Sequence, residues 1–198
     1  MVFAVIDTEE EFDWRKPFDR DSVGVSAMQH IWRAQNLFEE YGICPVYVAD
    51  YPVLATESSY ALLRDFADRG VADVGIHLHP WVNPPYEEKV SARNSYQANL
   101  APDLEQRKLN ILADTMEANL GKRPKIHKAG RYGAGPQTTQ FLAELGIEID
   151  LSTASGFDLS GDGGPDYSHV DASIYRIGED DGVFGLPTTG GFMGPMRS

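Results

Sequence analysis

Asp73-Val74-Gly75-Ile76-His77-Leu78-His79-Pro80-Trp81 is the stretch of sequence that decides the predicted fold. Val74 and Ile76 are β-branched, as is typical of a buried strand, and Pro80 ends it because proline donates no backbone hydrogen bond. His77 and His79 therefore stand at the carboxyl end of a predicted strand. The pair is either two ordinary histidines, one buried and one solvated, or a site for zinc, cobalt or nickel, which imidazole ligands suit.

The composition limits the classes of protein and partner that fit the chain. A length of 198 residues with 42% hydrophobic residues predicts one domain with a substantial core. The formal net charge of −13 disfavours nucleic acid or an anionic membrane as partner, because phosphate groups bind clustered Lys and Arg. The single cysteine, Cys44, excludes an intrachain disulfide and a cysteine-based zinc site. Neither a leader peptide nor a membrane span is visible, so we expect a cytoplasmic location.

Strands and helices alternate along most of the sequence. The pattern predicts strands at 2–6, 45–49, 71–79, 125–129 and 147–152, helices at about 21–41, 58–69, 102–119 and 136–145, and a late hairpin from 172–177 and 183–186. Long irregular segments cover 81–101 and 156–167. This order is typical of a parallel sheet with crossover helices.

Polar side chains capable of chemistry follow four of these strands. They are Asp7 with Glu9, His77 with His79, Arg131, and Asp150. A single carboxylate after a strand is commonly a helix cap, but sites in parallel α/β folds form where the carboxyl ends of the strands meet. Four clusters on one rim favour an incomplete or distorted (β/α) barrel, an α/β fold with parallel strands and crossover helices.

The order of these motifs resembles the polysaccharide deacetylases, the NodB-like carbohydrate esterases, over roughly residues 1 to 190. The branch found with bacterial surface-polysaccharide gene clusters carries a similar His-Leu-His-Pro-Trp run. Asp7-Thr8-Glu9 resembles the first family motif, Asp73 to His77 the second, Arg131-Tyr132-Gly133 the third, and Asp150 stands for the fourth. The second metal histidine of the family normally lies four residues after the first, where this chain has Trp81, which leaves His79 as the candidate.

The resemblance implies a metal-dependent hydrolase that removes acetyl groups from N- or O-acetylated sugars of an oligo- or polysaccharide. It implies a divalent metal, zinc before cobalt or nickel, held by Glu9, His77 and His79. It further implies Asp7 as the catalytic base, Arg131 as the residue that holds Asp7, and Asp150 as a third catalytic residue. Trp14, Trp81 and Tyr132 offer flat faces to a sugar ring.

Two other functions remain open at the level of sequence. Asp7, Glu9, Glu10 and Asp150 could serve a glycosidase with paired carboxylates, although such an enzyme needs neither histidine. The late Leu-x-His motif that supplies the family's general acid is absent, and His169 is not part of such a motif. A catalytically inactive carbohydrate-binding relative is therefore the second alternative. We expect one catalytic domain over 1–198 that either belongs to a longer polypeptide or pairs its open edge with another chain, as in a homo-oligomer.

Overall fold

An open sheet of seven strands organises the chain in the computed structural model, which describes residues 4–177 and 182–188. The strands are β1 (Val5–Thr8), β2 (Val46–Ala49), β3 (Asp73–Leu78), β4 (Ile126–Ala129), β5 (Ile149–Asp150), β6 (Tyr175–Ile177) and β7 (Val183–Gly185). Their order across the sheet is β1-β2-β3-β4-β5-β7-β6. All neighbouring pairs are parallel except β6 and β7, which form the predicted antiparallel hairpin.

Helices connect the parallel strands. They are α1 (Trp32–Glu40), α2 (Tyr51–Ala55), α3 (Glu57–Asp68), α4 (Pro102–Leu120) and α5 (Pro136–Glu144). The prediction of an α/β fold with parallel strands and crossover helices is confirmed, and the sheet is open among the described residues, as in an incomplete barrel. Within those residues, no helix is both long enough and apolar enough to cross a bilayer.

Two local features differ from the sequence prediction. The expected helix at 21–41 is divided into a 3-10 turn, Ser26–His30, and α1. The additional helix α2 begins directly after β2, where the Asp50 carboxylate accepts a hydrogen bond from the Val53 amide and caps the first turn. The first strand lies at Val5–Thr8 in the structure, and positions 2 and 3 of its predicted range fall outside the described residues.

Strand β3 lies at the centre of the parallel part of the sheet and is buried from Val74 to Leu78. Apolar side chains from the helices pack against the sheet, among them the fully buried Leu63, Leu109 and Leu112. Gly75 allows β4 to approach closely, because a Cβ there would lie 2.6 Å from the Ile126 carbonyl oxygen. The register pairs His77 of β3 with Lys128 of β4, so both residues lie near the same rim of the sheet.

Candidate active site

A cavity of about 350 Å³ opens at the carboxyl ends of β1, β3 and β4. Its walls are formed by Asp7, Glu9, Trp14, His77, His79, Tyr96, Lys128, Arg131, Tyr132, Leu159 and Asp162. The predicted site residues all line this cavity except Trp81 and Asp150. The expectation that strand-end residues share one rim is therefore met for the first three clusters.

Glu9, His77 and His79 converge in the cavity. The two histidines lie two positions apart, so their side chains leave the same face of the chain. Glu9 Oε2 lies 3.3 Å from the Nε2 atom of each histidine. Both imidazoles are almost completely buried, whereas the Glu9 side chain is 27% exposed.

Hydrogen bonds on the far side of each ring orient the two histidines. His77 Nδ1 lies 2.8 Å from the Lys128 carbonyl oxygen, which can only accept, so Nδ1 carries the proton and Nε2 faces Glu9. His79 Nδ1 lies 2.7 Å from Glu10 Oε2. In each case the Nε2 atom is the one directed towards the cavity, and this orientation is typical of metal-binding histidines.

The protonation equilibria of these groups reflect burial and mutual contact. Burial lowers the pKa of His77, which favours the neutral imidazole. Burial also opposes a charge on His79, but its hydrogen bond to Glu10 and the nearby Glu9 carboxylate raise the pKa to about 10. Burial works against ionisation of Glu9, yet the nearby imidazoles of His77 and His79 hold its pKa well below the usual range.

The three side chains fit a divalent metal ion. Their ligand atoms all lie within 4.8 Å of one another, and two histidines with one glutamate are a ligand set that catalytic zinc uses. His79 Nε2 is buried and makes no hydrogen bond of acceptable geometry, although Glu9 lies nearby. A buried nitrogen in that condition is costly unless a cation or proton engages it.

Asp7 pairs with Lys128, and sequence reasoning did not identify this lysine. Lys128 Nζ donates to both carboxylate oxygens of Asp7, at 2.6 and 2.5 Å. Asp7 is 38% exposed on its side chain, whereas the Lys128 side chain is only 7% exposed. The sequence signal for this residue was a lysine inside a predicted strand, one position from His127, which does not line the cavity.

The predicted contact between Arg131 and Asp7 is wrong. Arg131 lines the cavity, but its guanidinium donates to Ser95 Oγ at 2.6 Å and to Asp162 Oδ2 at 2.8 Å. It therefore joins the 81–101 loop to the 156–167 segment above the cavity. Arg131 and Tyr132 have φ angles of 54° and 57°, a left-handed conformation that is rare outside glycine.

The prediction that Trp81 presents a face to substrate is also wrong. Trp81 is 1% exposed, and its Nε1 donates to Glu10 Oε1 at 2.9 Å. Its ring stacks on that of His79 with the centroids 4.3 Å apart. Trp81 therefore packs against the predicted metal ligand His79 and does not line the cavity.

Asp150 lies outside the cavity, so the structure gives no support to its predicted catalytic role. Its Oδ1 atom lies 2.8 Å from His127 Nδ1 and accepts a hydrogen bond from Ser152 Oγ. His169 is exposed and does not line the cavity either. Neither residue is therefore among the groups that line the cavity with Asp7, the predicted base.

Aromatic side chains form one wall at the mouth of the cavity. Trp14 is 54% exposed, and its ring packs edge-on against Phe12 and Phe18 at 5.1 and 6.1 Å. Tyr132 stands in the cavity wall with Lys128 Nζ 4.7 Å from its ring centroid. Trp14 and Tyr132 thus both line the cavity, and their contact with a sugar stays a prediction.

The fold resembles those of several solved structures. A protein from Mycobacterium smegmatis assigned as a polysaccharide deacetylase aligns with a TM-score of 0.58 at 16% identity, covering 84% of this chain and 50% of that one. Puue allantoinase aligns with a TM-score of 0.57 at 15% identity, covering 94% and 61%. A BA3943 mutant, described as a CE4 family pseudoenzyme with restored enzymatic activity, gives 0.52 at 12% identity, covering 81% and 47%.

Comparison of sequences adds one curated relative. The chain is 32% identical over 141 residues to a pyruvate oxidase from Lactiplantibacillus plantarum, a match that covers 66% of this chain and 23% of that protein. No protein-family model matches the chain. The chain thus spans about a quarter of the curated relative and half of the Mycobacterium smegmatis protein. In its architecture the chain has the fold of the polysaccharide deacetylases, which confirms at this level the resemblance predicted from its motifs.

Proposed function

We propose that this chain is a metal-dependent hydrolase that removes acetyl groups from N- or O-acetylated sugars of a polysaccharide. The observation that carries the proposal is the convergence of Glu9, His77 and His79 in a cavity that also contains the carboxylate of Asp7. The fold of the polysaccharide deacetylases supports the same reaction class.

Glu9, His77 and His79 are the proposed ligands, through Oε2 and the two Nε2 atoms. A divalent ion held there would lower the pKa of bound water towards neutrality and would act as a Lewis acid on the acetyl carbonyl. Zinc is the proposed metal, with cobalt and nickel as alternatives that the same ligands accept.

Asp7 is the proposed base, which takes the proton of the attacking water. Lys128 fixes the direction of this carboxylate, since its ammonium contacts both oxygens and is itself held on β4. Among the described residues, no histidine other than the two proposed ligands lines the cavity. We therefore assign to Asp7 the return of the proton to the leaving nitrogen or oxygen.

Trp14 and Tyr132 are the proposed sugar contacts. The cavity volume of about 350 Å³ lies at the small end of the range for ligand pockets. It suits one sugar unit with its acetyl group, while the exposed Trp14 ring extends the surface outwards for further units of a chain.

The contacts of Glu9 weigh against the glycosidase alternative. A glycosidase needs two carboxyl groups free to act as acid, base or nucleophile, but Glu9 Oε2 is shared between two buried imidazoles. Asp150, another carboxylate considered for that mechanism, is engaged by His127 and Ser152 outside the cavity. Of the four carboxylates considered for that mechanism, Asp7, Glu9, Glu10 and Asp150, Asp7 is the one that lines the cavity without contacting the two histidines.

Acetate release tests the proposal. Purified protein should release acetate from an N-acetylated oligosaccharide after addition of one equivalent of zinc, and a chelator should abolish the release. His77→Ala should be inactive, whereas His30→Ala should match the wild type because His30 is exposed in the 3-10 turn before α1. Undiminished release in chelator would refute the metal dependence. Hydrolysis of allantoin, measured in parallel, would redirect the substrate assignment if it were the faster reaction.

A further inference from the structure

We propose that Glu10 is a positioning residue that, together with Trp81 and Gly130, fixes the ring of His79 so that Nε2 faces Glu9. We call these three residues the His79 cradle. The proposal rests on the proposed function in that it explains how His79 serves as the second histidine ligand. It concerns residues that surround His79 and are not ligands themselves. The similarity of the fold to known structures assigns no role to them.

Glu10 is placed by both its side chain and its backbone. It is 3% exposed; Oε2 lies 2.7 Å from His79 Nδ1, and Oε1 accepts from Trp81 Nε1 at 2.9 Å. Its amide donates to Asp50 Oδ2 at 2.8 Å. Asp50 is completely buried and caps α2, so the end of β1 is tied to a fixed helix terminus.

Trp81 and Gly130 define the space that the His79 ring occupies. The indole of Trp81 stacks on the imidazole with an interplanar angle of 23°. A Cβ at Gly130 would clash with His79 Cδ2 and lie 3.0 Å from Nε2. Only a residue without a side chain at position 130 therefore leaves room for the ring in its observed position.

The His79 cradle brings the ring of His79 close to that of His77. Residues two positions apart on an extended chain are separated by about 6.6 Å along the strand direction. The rings of His77 and His79 nevertheless approach to 4.7 Å between centroids, tilted by 56°, and both Nε2 atoms stand 3.3 Å from Glu9 Oε2. The bond to Nδ1 fixes the rotation of the His79 ring, and carboxylates behind ligating histidines commonly have this role.

Metal affinity provides the first test, with Glu105 as the matched control. Glu10→Gln preserves shape but removes the carboxylate that contacts His79 and Trp81 together. We expect the dissociation constant for Co²⁺ to rise by about 10- to 100-fold, with a changed visible absorption spectrum of the bound ion. Glu105 is a glutamate of similar burial, 2% exposed, that bonds Gln97 and Thr138 on another part of the chain. Glu105→Gln should leave both readouts unchanged.

Gly130→Ala tests the cradle by a second route, in case Glu10→Gln does not fold. The φ angle of Gly130 is not positive, so alanine can adopt this φ, although its Cβ would lie 2.6 Å from the Leu78 carbonyl oxygen as well as against the His79 ring. The added methyl group should displace the His79 ring and weaken Co²⁺ binding, although Glu10 remains. Wild-type affinity and spectrum in either folded variant would overturn the proposal.

Histidine NMR of the metal-free protein separates this proposal from the proposed function. The Nδ1 proton of His79 should give a slowly exchanging downfield signal in the wild type that disappears in Glu10→Gln and persists in Glu105→Gln. A wild type that shows this dependence but binds no metal would refute the metal-dependent function and retain the cradle. A wild type that binds Co²⁺ while its His79 signal and affinity are indifferent to Glu10→Gln would refute the cradle alone.

Discussion

Asp7 and Lys128 define the reactive side of the cavity at the scale of single residues. Lys128 contacts both oxygens of Asp7, and its own carbonyl accepts from His77 Nδ1. One residue of β4 thus orients the proposed base through its side chain and a proposed ligand through its backbone. The base and the ligand set are consequently linked through a strand that contributes no ligand itself.

Asp7→Asn should separate metal binding from chemistry. Asparagine retains the shape of the side chain but cannot take a proton from water, and general base catalysis is worth on the order of 10²–10⁴-fold. We expect turnover to fall by that order while zinc content remains at the wild-type level, since Asp7 is not among the proposed ligands. Acetate release and elemental analysis on the same preparation measure both quantities. Unchanged turnover would remove Asp7 from the mechanism.

Lys128→Met should lower kcat more than it changes KM. Loss of the ammonium leaves Asp7 free to rotate, and misplacement of a catalytic group by about 1 Å can cost on the order of 10²-fold. Lys128→Arg is the control, because a guanidinium can still bond both carboxylate oxygens. Steady-state acetate release by the two variants gives the comparison. Equal kcat values for Lys128→Met and the wild type would show that Asp7 needs no partner.

The sequence predicted the residues that meet in the cavity better than those that support them. Asp7, Glu9, His77 and His79 were singled out because they lie at or just after the carboxyl ends of strands, and strand ends share a rim. Lys128 also lies near the end of a strand, but as a single lysine it formed no cluster of acidic or metal-ligating groups and was passed over. Arg131 and Trp81 were assigned by motif position, but the left-handed backbone at Arg131 and the buried bond from Trp81 to Glu10 are tertiary features that no local pattern encodes.

Helix and strand positions were predictable where hydrophobic periodicity is strong. Helix α4 was expected at 102–119 and spans Pro102–Leu120, ending at Gly121, whose φ of 72° suits glycine. The short helix α2 was missed because five residues carry too little periodicity to reveal a helix. The Asp50 side chain caps its first turn, and this cap was not recognised in the sequence.

Glu105 on α4 provides a prediction at the scale of elements. This carboxylate accepts from Gln97 in the loop and from Thr138 on α5, and so joins three segments. Burial raises its pKa above the ordinary value of 4.5, outweighing the hydrogen bonds from Thr138 and Gln97. The folded protein therefore holds the Glu105 proton more tightly than the unfolded chain does. The contribution of Glu105 to the stability of the wild type should fall as the pH rises from about 4.5 towards the raised pKa.

Glu105→Gln removes that titration and keeps an acceptor oxygen for Gln97 and Thr138. The variant should gain unfolding free energy relative to the wild type at pH 7, and the difference should vanish below pH 4.5, where Glu105 is protonated in both states. Urea unfolding at several pH values measures this difference. A difference that did not depend on pH would indicate that packing, rather than ionisation, distinguishes the two proteins.

The proposed ligands join distant parts of the sheet at the scale of the whole molecule. Glu9 follows β1, whereas His77 and His79 belong to the end of β3, and β2 lies between those strands. In the unfolded chain Glu9 is separated from both histidines by more than sixty residues of sequence, as the 69-residue separation of the neighbouring Glu10 and His79 illustrates. A metal ion that binds all three ligands therefore binds the folded state almost exclusively.

Zinc should consequently stabilise the entire fold. A ligand that binds only the folded state contributes about 2.7 kcal/mol at a free concentration of 100 times its dissociation constant. For a chain of 198 residues, each kcal/mol corresponds to about 2–4 °C in the unfolding midpoint. Calorimetry with and without zinc should thus show a shift of about 5–10 °C in the wild type. His77→Ala should show no zinc-dependent shift, because it lacks one of three ligands, whereas His30→Ala should respond like the wild type. An equal shift in His77→Ala would place the stabilising ion elsewhere and would leave the convergence of Glu9, His77 and His79 without the chemistry proposed for it.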